Sequence, residues 1–252
     1  MTLANWNPIA RYAIRLGDDA LIHGQRLCEW SSRAPTLEED LALANVALDF
    51  LGRTRLLYAY AGTQGAADED TLAFTRSEAA YQNLLLVELP RGDFAFTMLR
   101  QYLLDVFEEA FFNALCGSAD TQLAAIAAKA VKEIEYHLRR SETWVTRLGQ
   151  GTEESLQRLQ NATDELWGYT GELFAMDVLE LELAEQGIAV NRSALQDAWQ
   201  SRVAAHMRAA HLTVPTSPWQ VSGGRQGCHT EHFGHLLSEM QYLQRAYPGA
   251  TW

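Results

Sequence analysis

The chain has 252 residues, with 32 acidic against 20 basic side chains and a formal net charge of -12. That charge repels phosphate backbones and anionic lipid head groups, so neither nucleic acid nor a membrane surface is an expected partner. No apolar run approaches the roughly 20 residues that a membrane-spanning helix needs. The three cysteines are far apart and suggest neither a disulfide framework nor a thiolate metal site, so a cytoplasmic protein is expected.

The apolar spacing is helical almost throughout, with glycine and proline at the joins, and it predicts an all-α protein. A first helix carries an apolar stripe from Ile9 to Trp30. Thr36, with Glu39 three residues later, forms a capping box that opens a second helix running toward Gly62.

Residues 62–92 are interrupted by glycine, proline and acidic residues, and they predict a long crossover with one short helical piece over 77–86. Asp93 is expected to cap a third helix, apolar on all sides, which stops at Gly117. A fourth helix is expected from residue 120 or 121 to Gly149. Two hairpins joined by one long crossover are typical of the ferritin-like four-helix bundle.

The last hundred residues predict additional C-terminal helices near 152–175, 177–186, 193–211 and 230–246. We expect a single ferritin-like domain over 1–252, with a core bundle at about 8–149 and the extra helices, at about 152–246, packed on it. The least ordered-looking stretch is the loop with Pro215, Pro218, Gly223 and Gly224.

Ferritin-like carboxylate proteins hold two irons with a Glu from each of two helices and a Glu-x-x-His from each of the other two. None of the seven histidines of this chain has an acid three residues before it. The hairpin register places degenerate ligand pairs at Asp49 with Gly52 and Ile134 with His137, and single carboxylates near Asp19 and near Asp105 or Glu108.

On this register the pair on the second helix faces residues 17–20, and the pair on the fourth helix faces residues 101–105. Gly52 offers no ligand atom, and Ile134 places a hydrocarbon where iron needs an anion. We therefore expect an emptied site, with no metal, cofactor or catalytic residue in this chain. A buried polar network would take its place, formed by His137, Asp49 and Asp105.

A second group of polar residues lies near the C-terminus and contains His229, Glu231, His232 and His235. Three converging ligands from this group would make a zinc site. The pattern favours a helix start instead, with Thr230 as the N-cap and the histidines on a surface or interface turn.

Long strings of the chain match one known family closely over nearly the whole length. They are residues 16–20 (LGDDA), 40–45 (DLALAN), 48–52 (LDFLG), 68–76 (DEDTLAFTR), 83–88 (NLLLVE), 132–139 (KEIEYHLR), 185–190 (EQGIAV), 227–234 (GCHTEHFG), 239–245 (EMQYLQR) and 248–249 (PG). In these strings the chain resembles the C subunit of the bacterial phenylacetyl-CoA epoxidase, a multicomponent ring-oxygenating monooxygenase.

The resemblance implies a ferritin-like structural subunit that binds no iron and pairs tightly with a homologous catalytic A subunit. That partner would hold the di-iron centre and insert oxygen into the aromatic ring of phenylacetyl-CoA. Electrons would arrive from NADPH through a separate reductase, and a small further subunit would bridge the assembly. A homodimer is an open possibility when the partner is missing.

Two other interpretations stay open on the sequence. The first is an active di-iron oxygenase with atypical ligands drawn from Asp19, His23, Asp49, Asp105, Glu108 and His137. The second is a free-standing acyl-CoA binding module, for which no basic cluster suited to phosphates stands out.

Overall fold

A computed structural model describes residues 6–216 and 219–250 of the chain. This part of the chain is built from α-helices and short 3-10 segments and contains no strand, so the predicted all-α class is confirmed. The α-helices are α1 (Pro8–Cys28), α2 (Leu37–Thr63), α3 (Glu69–Phe74), α4 (Leu85–Glu88), α5 (Phe94–Leu115), α6 (Thr121–Gly149), α7 (Glu153–Leu166), α8 (Val178–Glu185), α9 (Gln196–Ala209), α10 (Glu231–Met240) and α11 (Tyr242–Ala246). None of the helices in the described ranges is both long and apolar enough to cross a bilayer.

The long helices begin at the capping residues that the sequence predicts. The Thr36 hydroxyl accepts the Glu39 N–H at 3.3 Å, and the Asp93 carboxylate accepts the Phe96 N–H at 2.9 Å. Asp120 does the same for the first turn of α6. Each cap satisfies a backbone N–H that has no partner within its helix, which fixes where the helix starts.

The crossover between α2 and α5 differs from its prediction. The helical piece expected over 77–86 is wrong, because that range holds only the 3-10 turn Glu78–Ala80 and the beginning of α4. The acidic stretch before it is helical instead, since the Asp68 carboxylate accepts the Thr71 N–H at 2.9 Å and opens α3.

The chain divides into two compact units, Met1–Pro90 with Gly223–Trp252, and Arg91–Ser222. Unit one contains α1 to α4, α10 and α11, and unit two contains α5 to α9. The expectation of a single domain over 1–252 stays a prediction.

In unit one, α1 and α2 form an antiparallel hairpin at close range. A Cβ at Gly17 would lie 2.5 Å from the Tyr58 ring, and a Cβ at Gly24 would lie 3.3 Å from Cβ of Phe50. The Thr54 hydroxyl also lies 3.4 Å from the Gly17 carbonyl oxygen. Gly17 therefore lies opposite residues 54–58 rather than 49–52, and the predicted register is wrong by more than one helical turn.

The segment at Gly223 and Gly224 is well packed, which contradicts its prediction as a poorly ordered loop. Gly224 is buried, and a Cβ there would lie 2.0 Å from the Asn83 carbonyl oxygen, so only glycine fits. The sequence shows the two glycines but not the backbone that approaches them. Pro218, from the same predicted loop, lies outside the described residues.

In unit two, α5 is enclosed on every side along most of its length, as its composition predicts. All residues from Ala95 to Glu108 are buried. The Trp199 indole N–H of α9 donates to the Leu103 carbonyl oxygen at 3.1 Å, and Phe174 packs edge-on against both Phe107 and Trp199. Polar side chains on α5 consequently need partners inside the protein.

Candidate functional site

Asp105 is the centre of a buried polar cluster in unit two. Gln101 donates an amide N–H to one carboxylate oxygen at 2.6 Å, and the Ser141 hydroxyl donates to the other at 2.7 Å. Burial raises the pKa of Asp105 to about 7, and His137 and the Ser141 hydrogen bond limit the rise. The negative charge of Glu108 acts in the same direction as burial.

The two predicted positions on α6 lie on the same buried face. Ile134 is fully buried and His137 is 1% exposed. His137 lies near enough to Asp105 to lower its pKa, and the expected polar network of the two residues stays a prediction. Asp49, the third predicted member, belongs to unit one.

The side chains at this cluster do not fit a di-iron centre. Such a centre needs several ionised carboxylates to offset the charge of two metal ions. Both oxygens of Asp105 are engaged by neutral donors, and Ile134 contributes no ligand atom. In residues 6–216 and 219–250, no group of three or more His, Cys, Asp and Glu side chains is arranged to hold a metal ion.

Gly52, one of the two degenerate positions predicted on α2, does not face α1. A Cβ at Gly52 would meet nothing within 4 Å, which places this residue on an open face of the helix. Asp49 is half-buried beside that face. Their predicted placement opposite residues 17–20 is wrong, because the hairpin is shifted in register.

Asp19, the single carboxylate predicted on α1, is held by other partners. Its carboxylate pairs with the Arg225 guanidinium at 2.7 Å and accepts the Leu84 N–H at 2.7 Å. His23, one turn further along α1, is fully buried with its ring 4.8 Å from that of Phe50. The assignment of Asp19 as a metal-ligand position is therefore not supported by its contacts.

The preceding residue, Asp18, forms a buried cluster that the sequence arguments missed. It pairs with the Arg76 guanidinium, and it accepts hydrogen bonds from the Tyr58 hydroxyl and, at 2.8 Å, from the Gln82 N–H. Burial and the charge of Asp18 raise the pKa of Tyr58 well above its ordinary value. Asp18 and Arg76 both lie in strings that carry the family resemblance, and this shared location is the sequence signal that could have identified them.

A third buried cluster joins α4 to the segment before α10. One Glu88 oxygen accepts the Asn83 amide at 2.8 Å and lies 2.7 Å from His229 Nδ1, and the other accepts the Thr230 N–H at 2.6 Å. His229 Nε2 lies 3.1 Å from the Tyr81 carbonyl oxygen. Burial alone would lower the pKa of His229, but the hydrogen bond to Glu88 and its charge outweigh burial and raise it.

The predicted surface position of His229 is therefore wrong, since its side chain is 0% exposed in an ion pair with Glu88. Thr230 is the N-cap residue as predicted, although its backbone N–H binds Glu88 and its hydroxyl does not cap the helix. Glu231 and His235 are exposed. The four residues of the predicted zinc alternative thus have different environments.

One open cavity in unit one, of about 570 Å³, bears on the acyl-CoA alternative. It lies between the turn at Ser77 and helices α10 and α11, and Arg245 is the cation among its lining residues. The Arg245 guanidinium donates to the Arg76 carbonyl oxygen at 3.1 Å. Phosphate groups are held by several converging donors and cations, and this cavity does not offer them.

Comparison with known proteins adds two findings. The family model described as phenylacetic acid catabolic protein matches residues 1–252. The C subunit of the 1,2-phenylacetyl-CoA epoxidase of Escherichia coli (strain K12) is 51% identical over 247 residues, which cover 98% of this chain and 100% of that protein. These matches confirm the resemblance seen in the sequence strings.

Proposed function

Because the chain belongs to the phenylacetic acid catabolic protein family, which is ferritin-like, we propose that it is a non-catalytic subunit of a phenylacetyl-CoA epoxidase. In this role it acts in phenylacetate catabolism as part of an oxidoreductase complex and has no turnover of its own. The observation that carries the proposal is the 51% identity, over 98% of the chain, to a protein named as the C subunit of that enzyme.

The donor set of unit two supports the non-catalytic part of the proposal. An oxygen-activating iron pair needs several carboxylate ligands, whereas Ile134 supplies no ligand atom and the oxygens of Asp105 accept hydrogen bonds from Gln101 and Ser141. Asp19, one of the residues from which an active di-iron oxygenase could draw its ligands, is paired with Arg225. No contact of the described residues favours that alternative.

The catalytic work is proposed to reside in a homologous A subunit, which supplies a di-iron centre able to activate oxygen. This chain would stabilise that subunit by covering its apolar surface and fixing the helices that carry its ligands. Such a role requires a rigid scaffold. The buried pairs Asp18 with Arg76 and Glu88 with His229 connect segments that are distant in sequence and provide that rigidity in unit one.

Reconstitution of the complex tests the proposal. We expect the purified chain, supplied with ferrous iron and a reductant, to leave phenylacetyl-CoA unchanged, and the di-iron protein to co-purify with it and gain activity. Within the complex, Asp49→Asn and Asp105→Asn are expected to retain epoxidation within about twofold, because neither is assigned a ligand role. Turnover by the chain alone, or loss of turnover with both variants although the complex assembles, would overturn the proposal.

A further inference from the structure

Helix α6 presents a stripe of positive charge to solvent, although the chain as a whole is acidic. Five basic side chains form this α6 stripe: Lys129, Lys132, Arg139, Arg140 and Arg147. All are exposed except Arg140, which is half-buried. At about 100° and 1.5 Å per residue, they lie within roughly a third of the helix circumference and extend over about 27 Å. The acidic residues of α6 lie outside this sector, whereas a solvated helix face normally mixes both signs.

Much of this charge is not neutralised within the chain. In the described part of the chain, Lys132, Arg139 and Arg147 form no ion pair. Arg158 and Arg202, two other exposed arginines of unit two, differ in that each pairs with two carboxylates. The α6 stripe therefore keeps a positive charge that an external anion can neutralise.

The cations of the stripe flank a central row of uncharged residues. Tyr136, which is 46% exposed, lies in this row with Ala125 and Thr143. On either side of the row is a pair of cations seven residues apart: Lys132 with Arg139, and Arg140 with Arg147. In paired helices, charged residues that flank the contact seam form ion pairs with the partner helix and select it. The stripe has this arrangement with cations alone.

Two of the guanidinium groups are held close to the helix surface by neighbouring side chains. The Arg147 guanidinium lies 5.5 Å from the centre of the Trp144 ring, which packs edge-on against Phe94 at 4.9 Å. Arg140 Nη1 lies 3.6 Å from the Met98 sulfur. Such contacts reduce the side-chain freedom that these arginines would lose when a partner binds.

We propose that the α6 stripe is a docking surface for an acidic helix of another protein chain, with carboxylates opposite the two rows of cations. A helix that lies along α6 has the same rise per residue, so acids seven residues apart on it match the spacing from Lys132 to Arg139. Pairing of α6 with α6 of a second copy does not fit, because cations would face cations.

The shape of the stripe selects an elongated anion. A phosphate group is held by donors that converge on one point, whereas these cations extend over about 27 Å. The exposed Tyr136 in the central row favours a protein over a nucleic acid, since Tyr and Arg are enriched in protein interfaces. At about 0.15 M ionic strength charges are screened beyond about 8 Å, so the stripe outweighs the net charge of -12 at close range.

A peptide titration tests the proposal, which does not depend on the proposed function. The probe is a fluorescein-labelled amphipathic helical peptide with leucine at its seam and glutamate at the flanking positions, and the control peptide has lysine there. By fluorescence anisotropy, the purified chain is expected to bind the glutamate peptide in low salt and to ignore the lysine peptide. Binding should weaken at least tenfold when the ionic strength rises from about 0.02 M to about 0.3 M, because salt screens the ion pairs.

Charge reversal locates the binding on the stripe. Lys132→Glu combined with Arg139→Glu should weaken binding of the glutamate peptide at least tenfold. The matched control is Arg33→Glu combined with Arg55→Glu, which makes the same change in net charge at exposed positions of unit one. This control should bind within about twofold of the wild type. All four positions are exposed, so circular dichroism and thermal unfolding should show both variants folded.

Lysine acetylation gives a second measurement without any substitution. The two lysines of the chain, Lys129 and Lys132, both lie in the stripe. With an acetylating ester and mass spectrometry, both should be modified readily in the free protein. The glutamate peptide at saturation should slow their acetylation at least threefold, and the lysine peptide should leave it unchanged.

Three results would overturn the inference. The first is no binding of the glutamate peptide to the wild type in low salt, and the second is equal binding by the wild type and the Lys132→Glu, Arg139→Glu variant. The third is tighter binding of a DNA duplex of similar length than of the peptide, with loss of that binding in the same variant. That result would assign the stripe to nucleic acid.

Discussion

Each of the two units buries a carboxylate near a histidine, but the two carboxylates differ in their hydrogen-bond partners and in their charge pairing. In unit one, Glu88 accepts hydrogen bonds from a backbone N–H and an amide and is ion-paired with His229 at 2.7 Å. In unit two, Asp105 accepts hydrogen bonds only from neutral groups on Gln101 and Ser141, and its pKa rises to about 7. His137 lowers that pKa without restoring it to the ordinary range.

The comparison shows what a carboxylate needs in order to stay ionised inside a protein. A charge-paired, fully satisfied group such as Glu88 can connect distant parts of the chain. A group such as Asp105, with neutral donors, can be buried at lower cost by keeping its proton. Because Ile134 supplies no ligand atom and both Asp105 oxygens already accept hydrogen bonds, the Asp105 cluster is suited to packing.

The largest expected effect is that of Glu88→Ala. Removing the carboxylate leaves His229, Asn83 and the Thr230 N–H without their buried acceptor. Breaking a buried ion pair in this way costs about 3–5 kcal/mol. Chemical denaturation should therefore show a large loss of unfolding free energy, whereas the exposed control Glu239→Ala on α10 should change it by less than about 0.5 kcal/mol. Equal effects of the two variants would contradict the role of Glu88.

Asp105→Asn should change the pH dependence of stability. The pKa of Asp105 is about 7 in the folded protein and roughly 3.9 in an unfolded chain, so the folded state holds more protons between these values. Stability therefore falls as pH rises through this window, by up to about 1.4 kcal/mol per unit. Asparagine, which is always neutral, should remove this decline, and the variant should gain stability over wild type most clearly at pH 8. A decline that is unchanged in the variant would show that Asp105 ionises readily when folded.

His229→Gln tests the ion pair of unit one in a different pH range. The pKa of His229 is raised in the folded protein, so the pair stabilises fully below the ordinary histidine pKa of about 6.5. This contribution is lost as pH rises through the raised folded value. As pH rises from 6 to 9, the unfolding midpoints of the wild type and of Asp105→Asn should fall. The midpoint of His229→Gln should fall less over the same range. The same decline in all three would exclude His229 as its source.

Ser141→Ala should have the smallest effect of the series. It removes one neutral hydrogen bond to Asp105, which is typically worth about 1 kcal/mol. Because that hydrogen bond lowers the pKa of Asp105, the variant should also raise this pKa further. Carbonyl-stretch infrared titration of the carboxyl group would measure the shift, and a lowered pKa would contradict the assignment.

The helices could be predicted from sequence because their signals are local. Thr36, Asp93 and Asp120 cap α2, α5 and α6 as expected, and α5 is apolar on all sides and enclosed along most of its length. The register of the first hairpin could not be predicted in this way. It depends on the close approach of Gly17 to Tyr58, which follows from the shapes of two distant segments.

The candidate site was only partly predictable for the same reason. Asp105 and His137 are both buried, as their positions on the apolar stripes of long helices predict, and the charge of His137 acts on Asp105. Glu88 and His229 are separated by 141 positions, and no local pattern connects them. Both nevertheless lie in strings that carry the family resemblance, 83–88 and 227–234, and so do Asp18 and Arg76. In unit one, several residues of the strings that resemble the family therefore form buried polar clusters.

The most direct test of the central claim is the iron content of the purified chain after anaerobic loading with ferrous iron and desalting. An Asp105 cluster in which Ile134 supplies no ligand atom and both Asp105 oxygens are hydrogen-bonded predicts essentially no iron per chain, with iron appearing only when the proposed catalytic partner is co-purified. About two irons per chain, as a two-metal centre requires, would contradict the account and identify the chain itself as a candidate oxygenase.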